Sequence, residues 1–293
     1  MKYLQSIILL VLLGSLVSCR TGTENSVKPV ITVSILPQQF FIERIAGDLA
    51  EVNVMIPPGA NPATYEPTVG QMSKLSRSEV YMRIGYVEFE LAWMDKLKSA
   101  NPEMSIVDLF PGIEPIFETH EEVSEFQGHP HQGIDPHIWM SLVNGKIIAR
   151  NIYDALVIQF PDKKELLSRN LDKLTAEIDS LHLHVTEILS LYQSRGFMIY
   201  HPALTYFARD YHLIQFPIEI GGKTPSPAYM RQMADLGRGN QISAIFIQRQ
   251  FDTRNAEVLA DEIGARIIQI DPLDPDWLTQ IGNIAEQLKS SFE

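Results

Sequence analysis

Residues 30–56 read VITVSILPQQFFIERIAGDLAEVNVMI, a stretch that contains one complete β–α–β unit. VITVSIL (30–36) and EVNVMI (51–56) are short and rich in β-branched residues, which predicts two strands. QQFFIERIAGD (38–48) has apolar residues at helical spacing and reaches Gly47, which predicts a helix that ends there. Two strands joined through a helix pair in parallel, so this unit predicts a parallel sheet.

The same alternation continues outward from this unit to the end of the chain. Before residue 110 it predicts helices and strands in turn, at 70–78, 80–84, 88–100 and 104–109. After residue 195 it predicts strands and a closing helix, at 196–200, 213–220, 242–248, 265–270 and 276–292. Two long helical stretches lie between, at 141–160 and 162–193. We therefore predict an α/β protein with two Rossmann-like lobes, each with a parallel sheet, joined by a long backbone α-helix.

The first residues have the pattern of an export signal. Lys2 precedes an apolar run at residues 7–17, which is too short to span a bilayer and typical of a signal peptide. Leu16-Val17-Ser18-Cys19 resembles the lipobox of bacterial lipoproteins, in which the cysteine is acylated; a buried helix with an unrelated cysteine is the alternative. We therefore expect a cell-envelope protein, held at the extracytoplasmic face of a membrane by lipid on Cys19. The predicted organisation is a signal peptide at 1–18, a lipidated tether at 19–28, an N-terminal lobe at 29–161, a connecting helix at 162–195 and a C-terminal lobe at 196–293.

Composition and charge limit the classes of ligand and the kinds of metal site that the chain can have. The 293-residue chain is 45% hydrophobic and has a formal net charge of −12. This charge disfavours nucleic acid and anionic lipid as partners and suits a cationic ligand. Cys19 is the only cysteine, so after its acylation neither a disulfide nor a thiolate metal site can form. A bound metal would then be held by imidazole and carboxylate groups.

Three possible metal ligands lie where binding sites of α/β proteins form. His201 and Asp271 directly follow predicted strands, and His137 lies in the segment Asp135-Pro136-His137 before a helix. Ligands of parallel sheets bind beyond the carboxyl ends of the strands. Two imidazoles with one carboxylate suit zinc, whereas manganese prefers more oxygen ligands. From the spacing alone, a hydrogen-bonded loop histidine and an Asp-Pro turn remain open alternatives.

Six segments resemble, in the same order, the zinc- and manganese-binding solute receptors of ABC importers. They are SILPQQFFIERIAGD (34–48), VMIPPGANPATYEPT (54–68), GIDPHIWMSLVN (133–144), MIYHPALTYFARDYHL (198–213), GGKTPSPAYM (221–230) and IIQIDPL (267–273). The resemblance implies two Rossmann-like lobes with a metal ion bound between them. By match to the family's motifs it implies His137, His201 and Asp271 as metal ligands, zinc or manganese as the transported ion, and an ABC permease as the partner.

The resemblance fails at the family's first ligand, a histidine that follows Gly-x-x-Pro and precedes x-Tyr-Glu-Pro. Ala63 stands at this position, in Gly59-Ala60-Asn61-Pro62-Ala63-Thr64-Tyr65-Glu66-Pro67, and an alanine side chain cannot bind a metal. Either fewer protein ligands hold the ion, or another side chain replaces the missing histidine. The candidate substitutes are His129 and His131 and, with less support, Glu66.

These observations predict a binding protein, not an enzyme, that captures zinc, or alternatively manganese, and delivers it to an ABC importer. A relative that has lost metal binding and acts as an adhesin or scaffold is one alternative, because of Ala63. A zinc-dependent hydrolase is another, but the chain has neither an HExxH nor a G-x-S-x-G motif.

Overall fold

The structure is a computed structural model that describes residues 28–117, 133–219, 225–251 and 254–293. The predicted signal peptide, the tether up to residue 27 with Cys19, and the candidate ligands His129 and His131 lie outside the described residues. None of the helices in these four ranges is long and apolar enough to cross a membrane.

The first lobe contains a parallel sheet with the strand order β2-β1-β3-β4. Its strands are β1 (Val30–Val33), β2 (Glu51–Val54), β3 (Ser78–Arg83) and β4 (Ser105–Asp108). The helices between them are α1 (Leu36–Ala46), α2 (Val69–Leu75) and α3 (Glu88–Ala100). All residues of β1 are buried, as expected for an interior strand of a parallel sheet that is covered on both faces.

Two helices connect this sheet to the second one, α4 (Leu142–Gln159) and α5 (Lys164–Leu189). Ser141 caps α4 by accepting a hydrogen bond from the Asn144 N–H at 3.0 Å. The helix ends before Pro161, because the residue that precedes a proline disfavours helical backbone. The 26 residues of α5 span about 39 Å. Its buried side chains recur at helical spacing: Leu167, Leu171, Leu174, Ile178, Val185 and Leu189.

The second lobe repeats the strand order of the first, as β6-β5-β7-β8, again all parallel. Its strands are β5 (Gly196–Ile199), β6 (Ile214–Pro217), β7 (Ala244–Gln248) and β8 (Arg266–Ile270). The helices are α6 (Thr205–Asp210), α7 (Pro227–Gly239), α8 (Arg254–Ile263) and α9 (Trp277–Phe292). In both sheets the strand order reverses at the first strand, which opens a crevice at the carboxyl ends of the strands.

The final helix, α9, packs against the first lobe as well as the second. The ring centroid of Trp277 lies 4.6 Å from that of Phe41 in α1. Trp277 Nε1 donates a hydrogen bond to the Trp139 carbonyl at 2.6 Å, and Trp139 Nε1 donates to the Pro272 carbonyl at 2.8 Å. One apolar core therefore runs from α1 through α4 and α5 to α9 and into the second lobe, which also contains a separate buried cluster of its own.

The predicted fold class is confirmed, with two parallel α/β lobes and a long central helix. Individual bounds differ by a few residues. Strand β6 is shorter than the predicted 213–220 and ends at Pro217, although the N–H groups of Ile218 and Glu219 still donate to the carbonyls of Ile199 and Tyr200 at 2.9 Å. The predicted helix at 162–193 consists of α5 flanked by 3₁₀ turns at Pro161–Lys163 and Ser190–Tyr192. The lobe boundaries at 161 and 195 stay a prediction.

Candidate metal centre

An open cleft of about 1100 Å³ lies between the two lobes. Much of its wall comes from the ends of strands or from the segments that follow them. These are residues 61–64 after β2, 87–88 after β3, 200–203 after β5, Glu219 after β6, Gln248, Gln250 and Phe251 at the end of β7, and 272–273 after β8. The carboxyl ends of both sheets therefore face one cleft, which is where parallel α/β proteins bind ligands.

His137 and His201 face each other in this cleft. Their Nε2 atoms are 3.2 Å apart, and both side chains are mostly buried, with 12% of His137 and 19% of His201 exposed. Two imidazole nitrogens bound at ~2.0–2.1 Å to one tetrahedral zinc ion lie about 3.3 Å apart. The two histidines therefore have the separation that one shared metal ion requires.

A buried carboxylate contacts the Nδ1 atom of each ring. Asp135 Oδ1 lies 2.8 Å from His137 Nδ1, and Glu219 Oε2 lies 3.2 Å from His201 Nδ1. An ionised carboxylate only accepts hydrogen bonds, so each Nδ1 carries a proton, and Nε2 of a neutral ring then presents a lone pair. Two lone pairs that face each other at this distance repel unless a cation, either a proton or a metal ion, lies between them.

The roles of Asp135 and Glu219 do not follow from the predictions made from the sequence. Burial opposes the ionisation of Asp135, but the charge and hydrogen bonds of His137, with a hydrogen bond from Thr205, hold the pKa of Asp135 below its ordinary value. Two signals could have identified these residues. Asp135 lies two positions before a candidate ligand, and Glu219 is a charged residue within the apolar run at 213–220. Metal-binding histidines usually donate their second ring nitrogen to such a carboxylate.

The end of β7 holds His201 in place. Gln248 Nε2 donates to the His201 carbonyl at 2.8 Å, and Gln248 Oε1 accepts the His201 N–H at 3.3 Å. The Phe251 ring stacks on the imidazole, with the ring centroids 4.4 Å apart and an angle of 19° between the planes. The backbone and the ring of His201 are thus both restrained by the neighbouring strand.

Asp271 directly follows β8, but its carboxylate contacts residues other than the histidines. Its Oδ1 accepts hydrogen bonds from Gln250 Nε2 at 2.8 Å and from the Leu273 N–H at 3.1 Å. Its Oδ2 lies 3.6 Å from Arg249 Nε. Across the four described ranges, no group of three or more His, Cys, Asp or Glu side chains is arranged to hold a metal ion. The assignment of Asp271 as a metal ligand stays a prediction.

Ala63, which stands where the resemblance places the family's first histidine, lies in the cleft wall. Its side chain is exposed, and its N–H donates to Asn61 Oδ1 at 2.8 Å. Glu66 is exposed and is not among the described residues that line the cleft. The other two candidate substitutes, His129 and His131, lie outside the described residues.

Comparisons with known proteins identify chains that are similar over most of this sequence. A solved structure described as the crystal structure of ZnuA is 37% identical, has a TM-score of 0.83, and is matched over 91% of this chain and 100% of its own. The zinc-binding lipoprotein AdcA of Streptococcus pneumoniae (strain ATCC BAA-255 / R6) is 28% identical over 271 residues, which are 88% of this chain and 53% of AdcA. The chain therefore spans about half the length of that relative.

A second relative is similar over most of its length. The manganese ABC transporter substrate-binding lipoprotein PsaA of Streptococcus pneumoniae is 26% identical over 280 residues, which are 89% of this chain and 87% of PsaA. The family described as zinc-uptake complex component A, periplasmic, matches residues 31–290. This match includes both lobes, the helices between them and the cleft with its two histidines. The chain belongs to the family of the periplasmic zinc-uptake component ZnuA.

Proposed function

We propose that this chain is a receptor that captures a divalent transition-metal ion between its lobes and delivers it to the permease of an ABC importer. Zinc is the favoured cargo and manganese the alternative. The proposed protein ligands are His137, His201 and Asp271. The family match supports this proposal, as do the descriptions of AdcA as a zinc-binding lipoprotein and of PsaA as a manganese ABC transporter substrate-binding lipoprotein.

The observation that carries the proposal is the arrangement of the two histidines. Their Nε2 atoms face each other at 3.2 Å, while Asp135 and Glu219 contact the Nδ1 atoms. Such a pair attracts a cation, and the carboxylates orient the rings toward it before it arrives. A site of this kind favours a metal that accepts nitrogen ligands at short distance, which supports zinc over manganese.

The alternatives have less support. A catalytic role would need a general base beside the metal, but the carboxylates that contact the two histidines are bonded to ring nitrogens. The matched family is described as part of an uptake complex, and we propose that the chain performs no catalysis. A role as an adhesin or scaffold without metal would not explain why the two histidines face each other in the cleft with a carboxylate at each Nδ1.

We also propose that the chain is held at the extracytoplasmic face of a membrane by lipid on Cys19. The lipobox-like sequence supports this anchor, and the two relatives described above are named lipoproteins. An anchor of this kind would keep the receptor close to its permease without a membrane-spanning helix.

Calorimetric titration of metal-stripped residues 20–293 with zinc and with manganese tests the function. We expect one ion per chain and tighter binding of zinc. His137→Ala and His201→Ala should each weaken binding by at least ~10–100-fold, because even the loss of a residue that only orients a ligand has an effect of that size. His184→Ala is the control, because His184 is half-exposed and contacts Glu286 on the surface.

Unchanged zinc affinity in both His137→Ala and His201→Ala would exclude the proposed site. Failure of the wild-type chain to bind either metal would exclude the receptor function and favour the adhesin or scaffold role.

A further inference from the structure

The four residues at the end of β7 contact both candidate ligands of the second lobe. In the sheet, β7 lies between β5 and β8, and His201 and Asp271 follow those two strands. Gln248 and Phe251 contact His201, whereas the two residues between them, Arg249 and Gln250, contact Asp271. The segment therefore divides into an outer pair that restrains the histidine and an inner pair that contacts the carboxylate.

The two oxygens of the Asp271 carboxylate have different surroundings. Oδ1 accepts two hydrogen bonds, from Gln250 Nε2 at 2.8 Å and from the Leu273 N–H at 3.1 Å. Oδ2 lies 3.6 Å from Arg249 Nε, which is an ion-pair distance but not a hydrogen bond. The orientation of the carboxylate is thus set through Oδ1, and Oδ2 is the oxygen that can exchange one cation for another.

We propose that Gln250 and Arg249 tune metal affinity through Asp271 in opposite directions, Gln250 as a positioning residue and Arg249 as a counter-cation that the incoming metal displaces. This inference rests on the proposed function. In this proposal the Asp271 carboxylate pairs with a cation both in the metal-free and in the metal-bound state. The guanidinium neutralises it before the metal arrives, and the metal ion takes the place of the guanidinium afterwards.

The surroundings of Gln250 suit a positioning role. Its Nε2 is committed to Asp271, while its Oε1 is buried and has no hydrogen-bond partner among the described residues. The amide is therefore held in this orientation chiefly by its bond to the carboxylate. Loss of that bond would leave Asp271 with the Leu273 N–H as its remaining described hydrogen-bond donor on Oδ1, so the orientation of the carboxylate would be less restrained.

The surroundings of Arg249 suit a displaceable cation. Its side chain is 56% exposed, whereas that of Asp271 is 15% exposed. A long, exposed arginine side chain can move into solvent at small cost, because exposed ion pairs contribute little. A divalent ion and a guanidinium cannot share Oδ2 without repulsion, so Arg249 opposes metal binding and favours release.

Zinc titrations of Gln250→Met and Arg249→Gln, each in the wild-type and the Asp271→Asn background, test the proposal. Methionine keeps the length of the glutamine but removes the donor, so we expect Gln250→Met to weaken zinc binding by roughly 10–100-fold. Arg249→Gln should tighten binding by roughly 2–5-fold at low ionic strength. That gain should shrink as salt is added, since salt screens exposed charges.

In the Asp271→Asn background both effects should disappear, because each acts through the carboxylate. Arg238→Gln is the matched control, since Arg238 is a partly exposed arginine whose ion pairs with Asp235 and Glu262 involve no cleft residue. It should leave zinc affinity unchanged. Thermal unfolding of each variant checks that the fold is retained. The titrations of Arg249→Gln, a substitution at an exposed side chain, test the proposal even where Gln250→Met is unstable.

Weaker zinc binding by Arg249→Gln, or effects of either variant that persist in Asp271→Asn, would overturn the inference. So would unchanged affinity in both single variants. The proposed function would survive these results as long as His137→Ala and His201→Ala impair zinc binding. Absence of zinc binding by the wild-type chain would instead remove the function and the inference together.

Discussion

Ala63 occupies a place in the cleft wall where a longer side chain has room. It is exposed to the cleft, and the flanking Pro62 and the Asn61 side chain restrain its backbone. We expect Ala63→His to add a metal ligand and to tighten zinc binding by at least ~10-fold, since even changes around existing ligands have effects of that size. Zinc titration measures the change, and Ala63→Leu controls for added bulk without a ligating atom.

The competing explanation is that His129 or His131 already replaces the missing histidine. In that case Ala63→His would have little effect, while combined His129→Ala and His131→Ala would lower zinc affinity sharply. A third outcome is a zinc affinity that changes neither in Ala63→His nor in the combined His129→Ala and His131→Ala variant. That result would mean that no side chain at these three positions adds to the proposed ligands His137, His201 and Asp271.

Glu90 in α3 is a carboxyl group inside the first lobe, with 1% of its surface exposed. It accepts hydrogen bonds from the Ser34 hydroxyl and from the backbone N–H groups of Ile84, at 2.9 Å, and Gly85, at 2.6 Å. Burial raises the pKa of Glu90 to about 7, against these hydrogen bonds and the charge of Arg83, which favour the ionised form. The folded protein therefore holds a proton that the unfolded chain releases.

This difference makes stability depend on pH. Between the ordinary pKa of 4.5 and the folded value of about 7, the folded state binds more protons, so the free energy of unfolding falls as pH rises. At pH values above that range, the decrease in the free energy of unfolding that Glu90 causes approaches about 3 kcal/mol. Urea unfolding at several pH values should show this decline in the wild-type protein and a weaker decline in Glu90→Gln. Parallel pH profiles would contradict the assignment.

At the scale of single residues, the sequence allows candidate ligands to be located but not the residues that contact them. His201 and Asp271 could be located because the end of a buried parallel strand is visible as the end of an apolar run. That Glu219 contacts His201 depends on β6 lying beside β5, which is a property of the sheet order. The ion pair between Arg249 and Asp271 likewise requires β7 and β8 to be neighbours.

At the scale of elements, order and type were predictable because helical and strand periodicities are local. The residues at which elements begin and end were less predictable, as the shortened β6 and the 3₁₀ turns around α5 illustrate. The packing of α9 against α1 was not predictable, because the sequence of residues 276–292 indicates an apolar face but not the lobe that this face covers. Contacts between elements far apart in sequence depend on the complementary shapes of both partners.

One such contact joins Gly145 of α4 to Trp277, the first residue of α9. A Cβ atom at Gly145 would lie 2.9 Å from Cζ2 of Trp277 and still closer to a neighbouring ring atom, and this ring is buried. We expect Gly145→Ala to lower the free energy of unfolding by about 1–3 kcal/mol, because the packed ring cannot move aside without strain. Chemical unfolding measures the loss.

A glycine in α9 provides the matched control. A Cβ at Gly282 would meet only Leu181 Cδ1, at 3.5 Å, which is an ordinary contact. Gly282→Ala should therefore be neutral or should stabilise the helix by up to about 1 kcal/mol. Equal destabilisation by both substitutions would show that the Trp277 contact does not decide the effect.

At the scale of the whole molecule, the shared core predicts that both lobes unfold together. Metal bound between the lobes should raise the temperature of that single transition, by roughly 5–10 °C at a free zinc concentration of about 100 times the Kd. Differential scanning calorimetry with and without zinc measures the shift, and His137→Ala should largely abolish it. Two separate transitions, with one lobe unaffected by zinc, would contradict the prediction.

The position of Trp277 also affects how the protein is made. A chain that emerges N-terminus first from a ribosome or a translocation pore contains every strand of the first lobe long before the last helix appears. Until then the surfaces of Phe41 and Gly145 that Trp277 covers stay exposed to water. The native packing around Phe41 and Gly145 can therefore be completed only after α9 has been made.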